Sequence, residues 1–443
     1  MKTYVYVDNY RGFADAVIPL RQVNFLVGEN STGKSSILDL LEVFNEFQFW
    51  IIDPAPHTST LRERNFFDLV SASSGVESFT IGAIQLSDDD KATDGIIVTY
   101  ANREWRAVPE RVSRIRGSEI KTVDEGASNE SDEVYFSRKL ELKKKKGQGE
   151  SVDRVREFIS THKLSSSMQR RKSAEDSKRI PFFLRYSEFF YDKESLRDRD
   201  TNPPEPFSRP FYELAPIRTK PRRTYDAPQT SFSPEGDHIP YLIKKTLNDP
   251  RANGDFKKFL SEFGEGSGLF REITIKDFGS DPLAPFEMQV GLGSISLGVK
   301  NVGYGVSQAL PVLVEAFVRA DGAAFNIQQP EVHLHPRAQA AFGDVIADLA
   351  RSENKVFFVE THSDFTIDRF RINVRRNYYE SLGDEVSSEV AEVDDYFSQI
   401  LFFERDGKGN HVSSIPILRN GELSDDQPES YRSFFLHESL ALL

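Results

Sequence analysis

The chain has 443 residues, of which 38% are hydrophobic, and a net charge of −13 at pH 7. This size and apolar content exclude a disordered chain and are enough for one large domain or two to three smaller ones. The absence of cysteine excludes disulfide bonds and thiolate zinc sites. Because the sequence has neither a membrane-length apolar run nor a signal peptide, we expect a globular cytoplasmic protein without membrane contact.

The first segment predicts two strands, then a glycine-containing loop and a helix. Residues 3–7 alternate threonine and valine with tyrosine, which is typical of a half-buried strand, and 23–27 form a largely apolar run that ends at Gly28. After the loop, apolar residues recur at helical spacing over 37–44. A strand that leads through such a loop into a helix is the context in which many proteins bind phosphate.

The middle of the chain, 101–284, is the least regular part of the sequence. It contains a polar tract at 117–151 and two amphipathic segments, at 152–159 and 256–263, that predict helices. Residues 101–190 carry 21 Lys and Arg against 15 Asp and Glu. This basic segment is the most plausible place for a DNA contact, although a lysine run is more often a solvated loop. The positive charges are densest at Lys143 to Lys146 and at Arg170 to Lys172.

The last third predicts alternating helices and strands. The predicted elements are a helix over 306–319, a strand over 323–328, a helix over 337–351 and a strand over 354–359. This order predicts parallel strands joined by crossover helices. A further strand is predicted around 400–403, and an Asn-Gly turn follows in 417–423.

Residues 28–36 read GENSTGKSS and contain the G-x-x-x-x-G-K-[ST] motif of a phosphate-binding loop. Such glycines let backbone N–H groups point at phosphate oxygens, and the following helix N-terminus adds partial positive charge. Lys34 is predicted to contact the β and γ phosphates, and the Ser35 hydroxyl to ligate Mg²⁺. The loop residues predicted to bind nucleotide are Gly28, Glu29, Asn30, Ser31, Thr32, Gly33, Lys34, Ser35 and Ser36.

Four further motifs resemble the ABC-type ATPases of the SMC, RecF and OLD group. They are DNYRGF at 8–13, VGYGVSQALP at 302–311, AAFNIQQPEVHLHPRAQ at 323–339 and VETHSD at 359–364, and ELAPIRTKPRRTYD at 213–226 adds a weaker likeness. The sequence looks most similar to the branch with the OLD family ATPases and the ATPases of antiphage systems such as Septu and PARIS. The resemblance implies an α/β fold, namely a P-loop NTPase with an ABC-type head, a mixed sheet and a large middle insertion.

On this resemblance, 1–100 is the N-terminal lobe of the head, 101–284 the insertion and 285–443 the C-terminal lobe. Arg11 is expected near the nucleotide, and His362 matches the switch histidine that senses the γ-phosphate. The signature motif, which contacts ATP bound by a second subunit, is matched by Gly303, Gly305, Ser307 and Gln308. The resemblance therefore implies a homodimer or higher homo-oligomer whose heads sandwich ATP.

The chain departs from the family pattern where an acidic residue usually ends the Walker B strand. Gln328 stands there, and Gln329 takes the next position, which is often the catalytic glutamate. An amide is a weaker Mg²⁺ ligand than a carboxylate and cannot act as a base. Glu331 is the nearest acid, and it either substitutes in part or only caps or holds the following turn. We therefore expect slow ATP hydrolysis, with Gln328, Gln329, Glu331 and His362 in the catalytic site.

The loop from His333 to Pro336 matches the segment that crosses the dimer interface in the family. His333 and His335 form an H-x-H pair, for which metal binding is the less favoured alternative because no third ligand is nearby in the sequence.

Three functions are compatible with this sequence. The first is an oligomeric ATPase switch that holds or releases an effector protein, such as a nuclease or toxin, in antiphage defence. The second is a DNA-repair or DNA-maintenance ATPase that clamps DNA through the basic segment, and the third is a scaffold that binds ATP without turnover. We expect no intrinsic nuclease activity, because Asp394 and Asp395 lack the sequence context of the metal-binding acids in OLD nucleases.

Overall fold

The computed structural model describes residues 1–51, 54, 64–72, 75, 77–87, 92–124, 134–139, 150–163, 169–172, 203–226, 228–281, 284–382 and 397–434. Lys143 to Lys146 lie outside the described residues, and for Arg170 to Lys172 only the backbone is described. The DNA contact expected at these residues therefore stays a prediction.

Among the described residues, runs of consecutive strands dominate the first part of the chain, and helices and strands alternate mainly between residues 304 and 406. The strands are β1 Lys2–Asp8, β2 Ala16–Leu20, β3 Val23–Gly28, β4 Ser78–Leu86, β5 Ala92–Arg103, β6 Arg106–Arg116, β7 Glu119–Asp124, β8 Val134–Lys139, β9 Gln169–Lys172, β10 Phe211–Leu214, β11 Glu272–Asp277, β12 Phe286–Gly291, β13 Ser296–Gly298, β14 Ala324–Gln328, β15 Val356–Glu360, β16 Ser398–Asp406 and β17 Gly409–Pro416. The helices are α1 Lys34–Asn45, α2 Phe47–Ile51, α3 Phe66–Leu69, α4 Glu150–Lys163, α5 Ile239–Asn248, α6 Asn253–Ser267, α7 Tyr304–Val318, α8 Pro336–Ser352, α9 Asp364–Leu382 and α10 Glu429–Phe434.

The chain folds into two units that are interleaved along the sequence. The first unit contains 1–21, 29–209 and 403–414, and the second contains 22–28, 210–402 and 415–443. The division into lobes at residues 100 and 284 stays a prediction.

In the first unit, the described strands form an eight-stranded antiparallel sheet in the order β2–β1–β4–β5–β6–β7–β8–β9. Helix α4 buries Val155, Phe158 and Ile159 in a cluster with Tyr4 and Tyr6 of β1. The helix predicted from the apolar spacing over 152–159 is therefore confirmed, and its apolar face covers the sheet.

Two charged side chains inside β6 explain why the apolar pattern did not reveal this strand. Arg114 is 2% exposed and pairs with Asp94 at 3.1 Å. Arg111 pairs with the buried Asp124 at 2.7 Å. Charged side chains are accommodated in a core only when they are paired. The two arginines of β6 are therefore neutralised by aspartates on the neighbouring strands.

In the second unit, β10, β14, β15 and β3 are neighbouring parallel strands of one sheet. The helices and strands predicted for 306–319, 323–328, 337–351 and 354–359 match α7, β14, α8 and β15 within about two residues. These findings confirm the predicted α/β class with parallel strands and crossover helices. A small antiparallel sheet of β11, β12 and β13 completes the described strands of this unit.

The remaining short-range predictions also agree with the structure. The helix predicted at 256–263 lies within α6, whose Phe256, Leu260 and Phe263 are buried in the core of the second unit. The Asn-Gly turn is closed by a bridge between Ile417 and Leu423. Among the described helices, none is both long and apolar enough to cross a membrane.

Candidate functional site

The phosphate loop turns sharply into α1 at Gly33. This residue has φ 98°, and a Cβ added there would lie 2.4 Å from the ring of Phe13. Both the backbone conformation and the space therefore require glycine. Gly33 is also the N-cap of α1 and provides no side-chain hydrogen bond to the helix. The first N–H groups of α1 are consequently not capped by a side chain at Gly33, as an anion-binding helix start requires.

The side chains of the loop are arranged around the carbonyl oxygen of Glu29. The Lys34 ammonium donates to this oxygen at 2.7 Å, and the Thr32 hydroxyl donates to it at 2.8 Å. Ser31 has φ 64° and is exposed, as is Ser35 in the first turn of α1. A lysine, a helix N-terminus and an exposed serine hydroxyl form a donor set that suits a triphosphate and its Mg²⁺ ion.

Arg11 contacts the helix that follows the phosphate loop, while its expected place near the nucleotide stays a prediction. Its guanidinium pairs with Asp39 of α1 at 2.6 Å, and burial raises the pKa of the Asp39 carboxyl although Arg11 opposes this. Asn410 holds the same turn, since its side-chain amide donates to the Arg11 carbonyl at 3.0 Å. The DNYRGF motif thus supplies two residues to this turn. The ring of Phe13 lies against Gly33, and Arg11 pairs with Asp39 on α1.

In the second unit, the carboxyl ends of three parallel strands meet at one sheet edge. Strand β3 ends there at Gly28, the first residue of the phosphate loop. The Thr361 N–H, just after β15, donates to the Leu26 carbonyl at 3.1 Å, and the Gln329 N–H, just after β14, donates to the Glu360 carbonyl at 2.8 Å. Such edges are where ligands bind in α/β proteins.

At this edge, the Glu331 carboxylate holds the loop that contains His362, the predicted switch histidine. One oxygen accepts a hydrogen bond from the backbone N–H of His362 at 2.7 Å, and the other from the Thr361 hydroxyl at 2.9 Å. Burial raises the pKa of the Glu331 carboxyl, although these hydrogen bonds and the charge of Arg218 act in the opposite direction. Of the two structural roles considered, Glu331 holds the turn, whereas the N-cap of α8 is His335.

The amide of Gln328 is engaged by a neighbouring acid. Its Nε2 donates to the Glu213 carboxylate on β10 at 2.9 Å. The backbone of Gln329 has φ 44°, a conformation that is uncommon outside glycine. Sequence reasoning missed Glu213, for which the weak resemblance of 213–226 was the only signal.

Arg218 is a second residue that sequence reasoning did not single out. It is 3% exposed, and its guanidinium donates to the carbonyls of Gln308 at 3.2 Å and Gln328 at 3.0 Å. Burial lowers the pKa of Arg218 to about 10, and the negative charge of Glu331 counteracts this effect. This buried cation therefore connects α7, the helix with the predicted signature motif, to the end of β14.

The signature residues divide into an exposed and a buried group. Gly303, the N-cap of α7, is exposed and provides no side-chain cap. Gly305, Ser307 and Gln308 are buried within the second unit, and the Ser307 hydroxyl donates to the Tyr304 carbonyl at 2.8 Å. The exposed N-terminus of α7 is thus the part of the motif that is open to an external ligand.

The HLHP loop lies against the same helix start. A Cβ at Gly305 would lie 3.1 Å from the His333 carbonyl, and the rings of Tyr304 and His333 are in edge contact at 5.2 Å. His335 accepts from the Ala338 N–H as the cap of α8. His333 thus packs against Tyr304, and His335 caps α8.

The sequence matches the AAA ATPase domain family over 1–201 and 222–367. A comparison with curated proteins found no match.

Similar solved structures are head domains of SMC proteins. One is an SMC head bound to the C-winged helix domain of ScpA, with a TM-score of 0.41, 12% identity and coverage of 94% of this chain and 97% of that chain. Another, derived from Pyrococcus furiosus, is an SMC head with an extended coiled coil bound to the C-terminal domain of ScpA, with a TM-score of 0.39, 12% identity and full coverage of both chains. The SMC head domain from Thermotoga maritima has a TM-score of 0.37, 9% identity and coverage of 94% of this chain and 98% of that chain.

The family match covers most of the chain. It includes the phosphate loop, the signature segment and the sheet edge from Gln328 to His362. The protein therefore belongs to the AAA ATPase domain family.

Proposed function

We propose that this protein is an ATP-dependent switch that binds ATP and Mg²⁺ at its phosphate loop, hydrolyses ATP slowly and controls a partner protein. The observation that carries ATP binding is the loop turn at Gly33, where only glycine fits and the chain enters the N-terminus of α1. Lys34 and Ser35 would hold the phosphates and Mg²⁺, which when bound neutralises charge on the triphosphate.

Slow hydrolysis is supported by how the acidic groups at the sheet edge are used. Gln328 presents an amide where a carboxylate would ligate Mg²⁺ through water, and that amide is bonded to Glu213. Both oxygens of Glu331 already accept hydrogen bonds, from His362 and Thr361. A water molecule must therefore displace one of these donors, or share an oxygen with it, before Glu331 can accept its proton.

We further propose that two copies assemble around ATP through the N-terminus of α7. This helix start is exposed at Gly303 and has no side-chain cap, so its N–H groups can contact the γ-phosphate of ATP held by a second copy. Ser307 and Gln308 are buried in one copy, so in this proposal they support the helix start.

The first experiment tests ATP binding with a lysine variant and a matched control. Lys34→Ala is expected to weaken ATP affinity by about tenfold or more, since it removes a charge-assisted phosphate contact. Lys258→Ala, at a side chain that is 74% exposed on α6, removes the same charge and should leave affinity unchanged. An unchanged affinity of Lys34→Ala would refute the proposed site.

The second experiment tests ATP-driven assembly by light scattering. The wild-type protein should gain mass with ATP and lose it after turnover. Gly303→Glu should retain ATP binding but lose the mass gain, because its carboxylate repels the incoming phosphate. Gly303→Ala is the control, as a Cβ there has no neighbour within 4 Å. A monomer in saturating ATP would contradict the switch.

The third experiment addresses hydrolysis and the partner. Steady-state phosphate release should be well below one turnover per second, the lower limit of typical enzymes. Fast multiple turnover would contradict slow hydrolysis.

We propose that the controlled partner is an effector nuclease or toxin of an antiphage system. The test is co-purification with the product of a neighbouring gene, once in ATP and once in ADP. Equal binding of this partner in both nucleotides would argue against a switch.

A further inference from the structure

Arg218 is a buried cation on a segment whose backbone is anchored on both sides. It lies in the irregular stretch that follows β10. The Ala215 N–H donates to the Pro234 carbonyl at 3.0 Å, and the Thr219 N–H donates to the Glu235 carbonyl at 2.9 Å. The Arg218 side chain therefore starts from a fixed point of the second unit.

One end of the guanidinium holds the peptide group that joins Gln328 to Gln329. Its Nη2 donates to the Gln328 carbonyl at 3.0 Å. The N–H of the same peptide group, which belongs to Gln329, donates to the Glu360 carbonyl at 2.8 Å. Gln329 has φ 44°, a conformation that residues other than glycine seldom adopt. The two hydrogen bonds thus keep this peptide in an orientation that the backbone alone disfavours.

The other end of the guanidinium contacts α7 next to its internal proline. Pro311 has no N–H to donate to the Ser307 carbonyl one turn earlier, so the helix lacks a backbone hydrogen bond at this place. The Nη1 of Arg218 donates to the carbonyl of the next residue, Gln308, at 3.2 Å. Arg218 therefore supports α7 at the turn that proline weakens, within the predicted signature motif.

The positive charge of Arg218 is more than a link between two carbonyls needs. Both acceptors are neutral, and the buried Nε has no hydrogen-bond partner among the described residues. Burying a cation is costly unless an opposite charge compensates it. Glu331 supplies such a charge, since it opposes the lowering of the Arg218 pKa by burial. The same carboxylate accepts the His362 N–H, so the cation also acts on the acid that holds this loop.

We propose that Arg218 is a positioning residue for ATP hydrolysis, because it fixes the peptide between Gln328 and Gln329 relative to the start of α7. This inference rests on the proposed function. In that function, the end of β14 serves the ATP of the same copy, whereas the N-terminus of α7 contacts the ATP of a second copy. Arg218 then joins parts of two ATP sites within one chain, and neither part can shift without breaking a hydrogen bond to it.

The experiment compares Arg218→Met and Arg218→Lys with the control Arg251→Met. Methionine removes the charge and both hydrogen bonds, whereas lysine keeps the charge but lacks the planar group that reaches both carbonyls. Arg251 is exposed and precedes α6, so its substitution removes the same charge at the surface. ATP affinity and single-turnover phosphate release are measured for each protein.

A positioning role predicts that rate and affinity separate. Arg218→Met should release phosphate more slowly by about tenfold or more and bind ATP within about threefold of wild type, because misplaced groups impair the reaction more than binding. Arg218→Lys should recover part of the rate, since its ammonium retains the charge. Arg251→Met should match wild type. A wild-type rate in Arg218→Met, or a parallel loss of rate and affinity, would overturn the assignment.

Hydrogen exchange without nucleotide gives a readout that does not depend on turnover. The Gln329 N–H should exchange faster by about fivefold or more in Arg218→Met, with Arg218→Lys between this variant and wild type. Unchanged exchange would refute the hold on this peptide. If Arg218→Met does not fold, the same two differences between Arg218→Lys and wild type, smaller in size, decide.

The wild-type protein separates this inference from the proposed function. Wild-type protein that binds ATP without any turnover would overturn both this inference and slow hydrolysis. Equal turnover in wild type and Arg218→Met would overturn this inference alone, and ATP binding at the phosphate loop would stand.

Discussion

The carboxylate of Glu331 accepts the backbone N–H of His362 at 2.7 Å, and this contact joins the two polar motifs at the sheet edge of the second unit. Its other oxygen accepts the Thr361 hydroxyl, so a single acid holds both residues that follow β15. The acid that is nearest to Gln328 in the sequence therefore holds the loop that contains His362. We call these two hydrogen bonds the clamp. Any proton transfer to Glu331 must compete with them.

The clamp predicts the behaviour of Glu331→Gln. The amide keeps one acceptor oxygen but carries no negative charge, so the hydrogen bond from the His362 N–H loses its charge assistance, at a cost of about 1 kcal/mol. Hydrogen exchange at the His362 N–H should then become faster by about fivefold or more. Glu262→Gln on the exposed face of α6 is the control and should leave this amide unchanged. Unchanged protection in Glu331→Gln would show that the clamp does not hold the loop.

The hydrogen bond between Gln328 and Glu213 suggests a test in which the amide and the carboxylate exchange places. Gln328→Glu alone places two carboxylates where the side chains are now 2.9 Å apart, so it should destabilise the protein. The double variant Gln328→Glu/Glu213→Gln keeps one acid and one amide and moves the acid to β14. If the missing Walker B carboxylate limits turnover, phosphate release should rise by about tenfold or more in the double variant. A rate equal to wild type would assign the slow step elsewhere.

The turn at Gly33 predicts a large effect of one methyl group. Gly33→Ala meets both a φ of 98° and the Phe13 ring, whereas Gly117→Ala meets a φ of 55° in open space. The control should lose about 1–2 kcal/mol of stability, the cost of a left-handed alanine. Gly33→Ala should lose more and also bind ATP more weakly. Trp50 and Trp105 both lie in the first unit, so tryptophan fluorescence during denaturation reports these changes.

A buried histidine predicts how the first unit responds to acid. Burial lowers the pKa of His162 to about 3, and its ring nitrogens bond to the hydroxyls of Thr99 and Ser113. The unfolded state binds a proton below a pKa of about 6.5 and the folded state does not. The free energy of unfolding should therefore be highest above pH 6.5 and fall toward pH 3, by at most about 1.4 kcal/mol per pH unit.

The measurement is urea denaturation of wild type and His162→Gln at several pH values, followed by tryptophan fluorescence. The acidic residues contribute to both proteins, so the difference between their slopes isolates His162. The variant should have the shallower dependence between pH 6.5 and 4. His411→Gln at a surface histidine is the control. Parallel curves for all three proteins would contradict a neutral buried His162.

Local sequence features determined the elements that depend on neighbours along the chain. The motif at 28–36 specifies its loop because the φ at Gly33 and the start of α1 are local properties. The apolar spacing at 152–159 and 256–263 specified two helices for the same reason. The strand β6 was hidden, since its arginines are acceptable in a core only through Asp94 and Asp124 on other strands.

The tertiary structure decided which polar groups meet. Gln328 meets Glu213, Arg218 reaches two carbonyls on α7 and β14, and Glu331 holds the loop at His362. Each of these bonds joins segments that are far apart in sequence, and a hydrogen bond depends on distances of a few tenths of an ångström. Residue type alone does not contain that information. The sequence by itself thus determined a nucleotide loop, and only the folded sheet edge decided which residues surround the Walker B amide.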